Sequence, residues 1–121
     1  MMDDFAMTDL DAKDPATTDT MEQIKALSNP YRLQFLEWLM SPRDYFADAQ
    51  NNADLVEDGV CVGVITEKAG LSQPTVTSHM QKLAQAGFVT SKKIKNWVYY
   101  RPDRKRIDAF LQDLNNRLRQ R

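Results

Sequence analysis

The stretch from Ile65 to Arg101 constrains the fold more than any other part of the chain. It reads as a helix, a tight turn, a second amphipathic helix and a lysine-rich two-stranded ribbon. Gly70 suits a left-handed turn position. Ser72 is a natural N-cap for a helix from Gln73 to Ala86, with Pro74 in the first turn, where a missing N–H costs little. At ~100° per residue, Val76, Met80 and Leu83 fall on one side of that helix. Pro74, Ser78, Gln81, Lys82 and Gln85 fall on the other, flanked by Thr75 and Thr77. Gly87 stops the helix. Phe88–Ile94 and Trp97–Arg101 are rich in Val, Ile, Trp and Tyr and read as strands. Lys95-Asn96 joins them as a two-residue turn, in which Asn tolerates positive φ.

Charge is distributed unevenly along the chain. The formal total is −1 and the pI about 5.8, which read globally argues against a nucleic-acid partner. From Thr66 to Arg121, however, twelve bases stand against four acids. That local excess is an electrostatic footprint for phosphate. Residues 1–20 hold six Asp against Lys13 alone. Without apolar periodicity, residues 1–19 read as a disordered acidic tail preceding one domain, 20–121. No apolar run approaches the ~20 residues that span a bilayer, and a single cysteine makes no internal disulfide. The expectation is a cytoplasmic protein with no membrane association.

Within the domain, a first helix is expected over Thr20–Leu27, with Met21, Ile24 and Leu27 on one face. Asn29-Pro30 opens a second helix that runs to about Met40 and carries a core stripe of Tyr31, Phe35, Trp38 and Leu39. Ser41-Pro42 ends it. Residues 42–58 read as a polar connection with three apolar anchors, Tyr45, Phe46 and Leu55. A third helix is expected over about Val60–Lys68. The last helix carries Ile107, Phe110, Leu111, Leu114 and Leu118 at helical spacing. The fold class is α+β, mainly α: a winged helix-turn-helix of about five helices with a two-stranded β-hairpin wing.

The exposed face of the helix after Ser72 is short, polar and uncharged at its start, which suits entry into a major groove. Gln can read adenine bidentately, and Thr can meet a thymine methyl or a phosphate. The candidate contacts to double-stranded DNA are Gln73, Pro74, Thr75, Thr77, Ser78, Gln81 and Lys82 on the helix, with Lys92, Lys93, Lys95, Asn96 and Arg101 on the ribbon. Ribbon cations give affinity without sequence information. The plain alternatives are a solvated helix face and edge-strand lysines that block aggregation.

Several runs resemble the ArsR/SmtB-type winged helix-turn-helix regulators. Lys25-Ala26-Leu27-Ser28-Asn29-Pro30-Tyr31-Arg32-Leu33 is similar to their helix-opening signature. Gly70 to Met80 is similar to their recognition segment. Ala86-Gly87-Phe88-Val89 and Trp97-Val98-Tyr99-Tyr100 are similar to their wing. The resemblance covers about residues 20–118 and implies a homodimeric transcriptional repressor. Its interface would be built by the first and last helices through Met21, Ile24, Ile107, Phe110, Leu111, Leu114 and Leu118. A two-fold dimer implies a pseudo-palindromic operator. Members of the family often sense metals through Cys-x-Cys on the third helix. Here Cys61 matches the first thiol and Gly63 stands where the second would be. Other members bind zinc on the last helix through His and carboxylates; this one has Asp108 and Asp113 but no His. No metal or cofactor is therefore expected, and the effector is unknown.

Cys61 reads either as a small buried hydrophobe or as a redox sensor whose pKa is lowered near a helix start. His79, the only histidine, lies at the core boundary as a packing or phosphate-contact residue. The 42–58 connection, with Trp38 or Cys61, could wall an effector pocket. An enzyme is disfavoured, since one His and one Cys assemble no nucleophile-base pair and no Gly-rich phosphate loop is present. The remaining alternative is a winged-helix module that binds protein, which would carry an apolar patch where this sequence places polar and basic residues.

Overall fold

Asn29 shows how local chemistry sets the frame. Its side-chain oxygen accepts hydrogen bonds from the backbone N–H groups of Tyr31, at 2.9 Å, and Arg32, at 3.2 Å. These are two of the four donors that a helix start leaves unpaired. With Pro30 in the first turn, the cap starts a helix over Pro30–Met40. The computed structural model describes residues 19–47 and 54–119. The expected acidic tail of residues 1–19 lies outside these except for Asp19.

Among the described residues the elements are, in order, α1 (Thr20–Leu27), α2 (Pro30–Met40), α3 (Pro42–Phe46), β1 (Val60–Cys61), α4 (Val62–Ala69), α5 (Gln73–Gln85), β2 (Val89–Ile94), β3 (Trp97–Pro102) and α6 (Arg104–Leu118). The three strands form one antiparallel sheet in the order β1-β3-β2. This is a mainly α winged helix-turn-helix, with one helix and one strand more than the sequence announced.

Both additions have a physical reason. Pro42 ends α2 but is also tolerated in the first turn of a new helix, and Phe46 anchors α3 at 2% exposure. Its ring meets Trp38 edge-on, with centroids 5.9 Å apart. The Lys68 ammonium of α4 lies 5.4 Å from the Trp38 ring, 5.6 Å from that of Tyr45 and 5.9 Å from that of Phe46. The expected third helix starts later than Val60 because Val60 and Cys61 pair with Tyr100 and Tyr99 of β3.

One core joins the elements. Phe35, Leu36, Trp38 and Leu39 of α2 meet Ile65 of α4, Val76, Met80 and Leu83 of α5, Phe88 just before β2, and Val89 and Tyr100 of the sheet. Phe88 contacts Phe110 of α6 edge-on, with centroids 5.1 Å apart. Tyr31, expected in the core stripe, is instead 42% exposed and stacks on His79, with ring centroids 5.7 Å apart. α1 is fastened to the end of α5 by the buried Gln23 amide, which donates to the Ala86 carbonyl at 3.2 Å.

Candidate nucleic-acid interface

α4 ends on Gly70, whose φ of 70° turns the chain toward α5. The Ser72 hydroxyl then accepts from Thr75 N–H at 3.4 Å and lies 2.9 Å from the Thr75 hydroxyl. The two helices pack against each other. With Val76, Met80 and Leu83 buried on the core side, the opposite face of α5 is open to solvent. Gln73, Pro74, Thr75, Ser78, Gln81 and Lys82 are exposed there and Thr77 is half-buried. The predicted reading face is therefore one continuous polar surface, though the Thr75 hydroxyl is shared with the cap.

Two groups behind this face hold α5 in place. Arg32 Nε donates to the Ala26 carbonyl of α1 at 2.7 Å, and its Nη1 donates to His79 Nδ1 at 3.1 Å. An arginine is always a donor, so Nδ1 is the accepting, unprotonated nitrogen. Partial burial, and then the charges of Arg32 and Lys82, hold the His79 pKa below its ordinary value. His79 is thus a packing residue of α5, joined through Arg32 to α1.

The wing follows directly, and β2 packs against α5. Its register pairs Val89 with Pro102, Ser91 with Tyr100, Lys92 with Tyr99, Lys93 with Val98 and Ile94 with Trp97. Successive side chains alternate between faces and directly opposed residues share one. Lys93 therefore belongs to the face that carries the buried Val89 and Tyr100. Lys92 and Arg101 belong to the other face, with Tyr99. Lys95 and Asn96 form the exposed tip. The positive φ of the turn, 57°, sits on Lys95 rather than on Asn96.

The five wing candidates are thus not one cluster. Lys92 Nζ forms an ion pair with Asp58 at 2.7 Å, and Arg101 Nη1 donates to the Glu57 carbonyl at 2.7 Å. Lys93, Lys95 and Asn96 stand at the exposed end of the hairpin. Trp97, not singled out from the sequence, is 55% exposed beside them. Its position next to a two-residue turn was the available signal.

The expected interface residues divide as well. Ile107 and Phe110 are buried in the chain's own core, whereas Met21 is 52%, Leu111 54% and Leu118 81% exposed. Ile24 and Leu114 are half-buried. Leu33, Leu36, Met40, Tyr45 and Leu111 line an open, mostly apolar cleft of about 600 Å³ between α2 and α6, floored by Phe88 and Phe110. None of the polar α5 residues or wing cations borders it.

Cys61 is the N-cap residue of α4 and is buried, at 9% exposure, which fits its reading as a small hydrophobe. Among the described residues no three His, Cys, Asp or Glu side chains gather as a metal site. A cleft of about 390 Å³ lies between residues 55–57 and the wing base, lined by Leu39, Leu55, Arg101 and Arg104. Neither Trp38 nor Cys61 borders it. No described helix is long and apolar enough to cross a membrane.

A helical corner whose second helix presents a polar face beside a cationic hairpin defines the winged helix-turn-helix DNA-binding proteins. Sequence comparison agrees. Over 89 residues, 74% of this chain, it is 37% identical to an uncharacterised HTH-type transcriptional regulator of Bacillus subtilis, covering 88% of that protein. Over 89 residues it is 33% identical to a putative arsenical resistance operon repressor of Halobacterium salinarum, covering 62% of it. Over 45 residues it is 38% identical to an arsenic resistance transcriptional regulator of Pseudomonas putida, covering 35% of it. No family model matches the chain. The chain belongs to the ArsR/SmtB-type family of winged helix-turn-helix transcriptional regulators.

Proposed function

We propose that this protein is a homodimeric repressor that reads a pseudo-palindromic operator, with α5 of each subunit in a major groove and the wing tip on flanking phosphates. One observation carries the reading. α5 exposes a polar, initially uncharged face and packs against β2, the strand that carries the exposed Lys93, while the exposed apolar residues Met21, Leu33, Leu111 and Leu118 belong to α1, α2 and α6. A module that bound protein through α5 and the wing would carry its apolar patch there. The separate apolar surface on α1, α2 and α6 fits a two-fold contact between copies, which would present two α5 helices to one duplex. Thr20 Oγ1 donates to Asp113 Oδ2 at 2.6 Å and so ties α1 to α6 within the subunit.

Two relatives are named for arsenic resistance. Soft metals and metalloids favour several thiolates, and this chain has one cysteine. The releasing signal proposed is therefore of another chemistry. The test is a mobility shift on the DNA upstream of the chain's own gene, against a scrambled duplex. Gln73→Ala is expected to lose about 1–3 kcal/mol of discrimination at the base pair it reads while retaining binding to the scrambled duplex. Equal weakening on both duplexes would contradict a reading role for Gln73.

A further inference from the structure

We infer that the turn Asp54–Asp58 is a built-in phosphate mimic that occupies the outer face of the wing and withdraws Lys92 from DNA. The inference rests on the DNA-binding reading above. Three carboxylates crowd this turn, and hydrogen bonds fix its shape. Asp54 Oδ1 accepts from Val56 N–H at 2.8 Å and from Glu57 N–H at 2.9 Å. Asp58 Oδ2 accepts from Asp54 N–H at 2.9 Å, which leaves Oδ1 for Lys92 at 2.7 Å. The next contact along the turn is the Glu57 carbonyl, which takes Arg101. Two cations on one face of the hairpin are thus held by one acidic turn. Lys93 lies on the opposite face of the hairpin and Lys95 at its tip, both exposed.

As a source of stability this pair counts for little, because both partners are substantially solvated. Its consequence is occupancy. A carboxylate already within 2.7 Å of an ammonium presents the charge and acceptor geometry that a phosphate oxygen would bring. Lys92 then releases few counterions when a duplex arrives, because its charge is already compensated. The Lys92 hydrogen bond and the Asp54 N–H hold the Asp58 carboxyl below its ordinary pKa, so it stays ionised throughout the neutral range.

The test is the salt dependence of binding to a fluorescein-labelled duplex of arbitrary sequence, using the full chain. Each phosphate neutralised adds about 0.9 to the slope of log affinity against log salt. Asp58→Asn keeps an acceptor for Asp54 N–H and removes the charge. It is expected to steepen the slope by about 0.9, which is about 3.5-fold in affinity for each fourfold change in salt. Lys92→Gln, a surface change that leaves the fold intact, is expected to leave the wild-type slope unaltered, and in the Asp58→Asn background to cancel the gain. An unchanged slope in folded Asp58→Asn, or a slope flattened by about 0.9 in Lys92→Gln alone, overturns the inference. Absence of any binding by the wild-type chain would instead overturn the DNA-binding reading itself.

Discussion

Replacing both Lys93 and Lys95 by Gln is expected to lower affinity for any duplex by about 30-fold at ~0.15 M salt and to flatten the salt slope by about 1.8. These two lysines remain exposed at the end of the hairpin, while Lys92 is paired with Asp58. The loss should be the same on operator and scrambled DNA, because phosphate contacts carry no sequence information. It should also exceed the loss from Lys92→Gln, although all three lysines lie within four residues of sequence. Fluorescence anisotropy across a salt series measures both quantities. A smaller loss from the double variant than from Lys92→Gln would show that the outer face of the wing, not its tip, meets the duplex.

The second large effect is on folding. Gly59 is buried with φ of +97°, and a Cβ built there would stand 2.4 Å from the backbone oxygen of Tyr100. Backbone cannot swing aside as a side chain can, and Val60, the next residue, is paired with Tyr100. Gly59→Ala therefore combines a left-handed backbone penalty with a clash that must open the β1–β3 pairing. A loss of about 3 kcal/mol or more is expected in denaturant unfolding. Gly70→Ala is the comparison. Its φ is also positive, at +70°, but nothing lies within 4 Å of the added Cβ. Only the conformational penalty of about 1–2 kcal/mol applies. Equal losses from the two variants would contradict the close approach of Gly59 to β3.

Much of the scaffold was legible in local chemistry, and the residues show why. Asn29 and Ser72 cap α2 and α5 through their own side chains, so those helix starts are written within a few residues of themselves, whereas the Asp103 cap of α6 emerges only from the structure. The 3.6-residue period of Val76, Met80 and Leu83 placed the polar face of α5 correctly. β1 was not legible, because two residues inside the apolar run Val60–Ile65 show no alternation, and their pairing with Tyr99 and Tyr100 is long-range. α3 is not legible because a proline after a helix reads as a stop, although it is equally tolerated in the first turn of the next helix. Ile107 and Phe110 carry the same helical period as Leu111 and Leu118. Only packing against Phe88 distinguishes a core-facing position from an exposed one.

On the candidate site, the sequence located the wing cations but not their division. The ribbon's own alternation already places Lys92 and Lys93 on opposite faces. What no local pattern reveals is that residues 54–58 fold back onto one of those faces. The turn itself defied the residue preference, since Lys95 and not Asn96 takes the positive φ.

The most direct measurement is amide chemical-shift mapping of the labelled protein on addition of its upstream duplex. The predicted shifts fall on Gln73–Lys82 and on Lys93–Trp97, with residues 54–58 and the apolar cleft around Leu33 and Leu111 little changed. Shifts confined to that cleft, with α5 and the wing tip unmoved, would contradict the assignment of this surface to DNA.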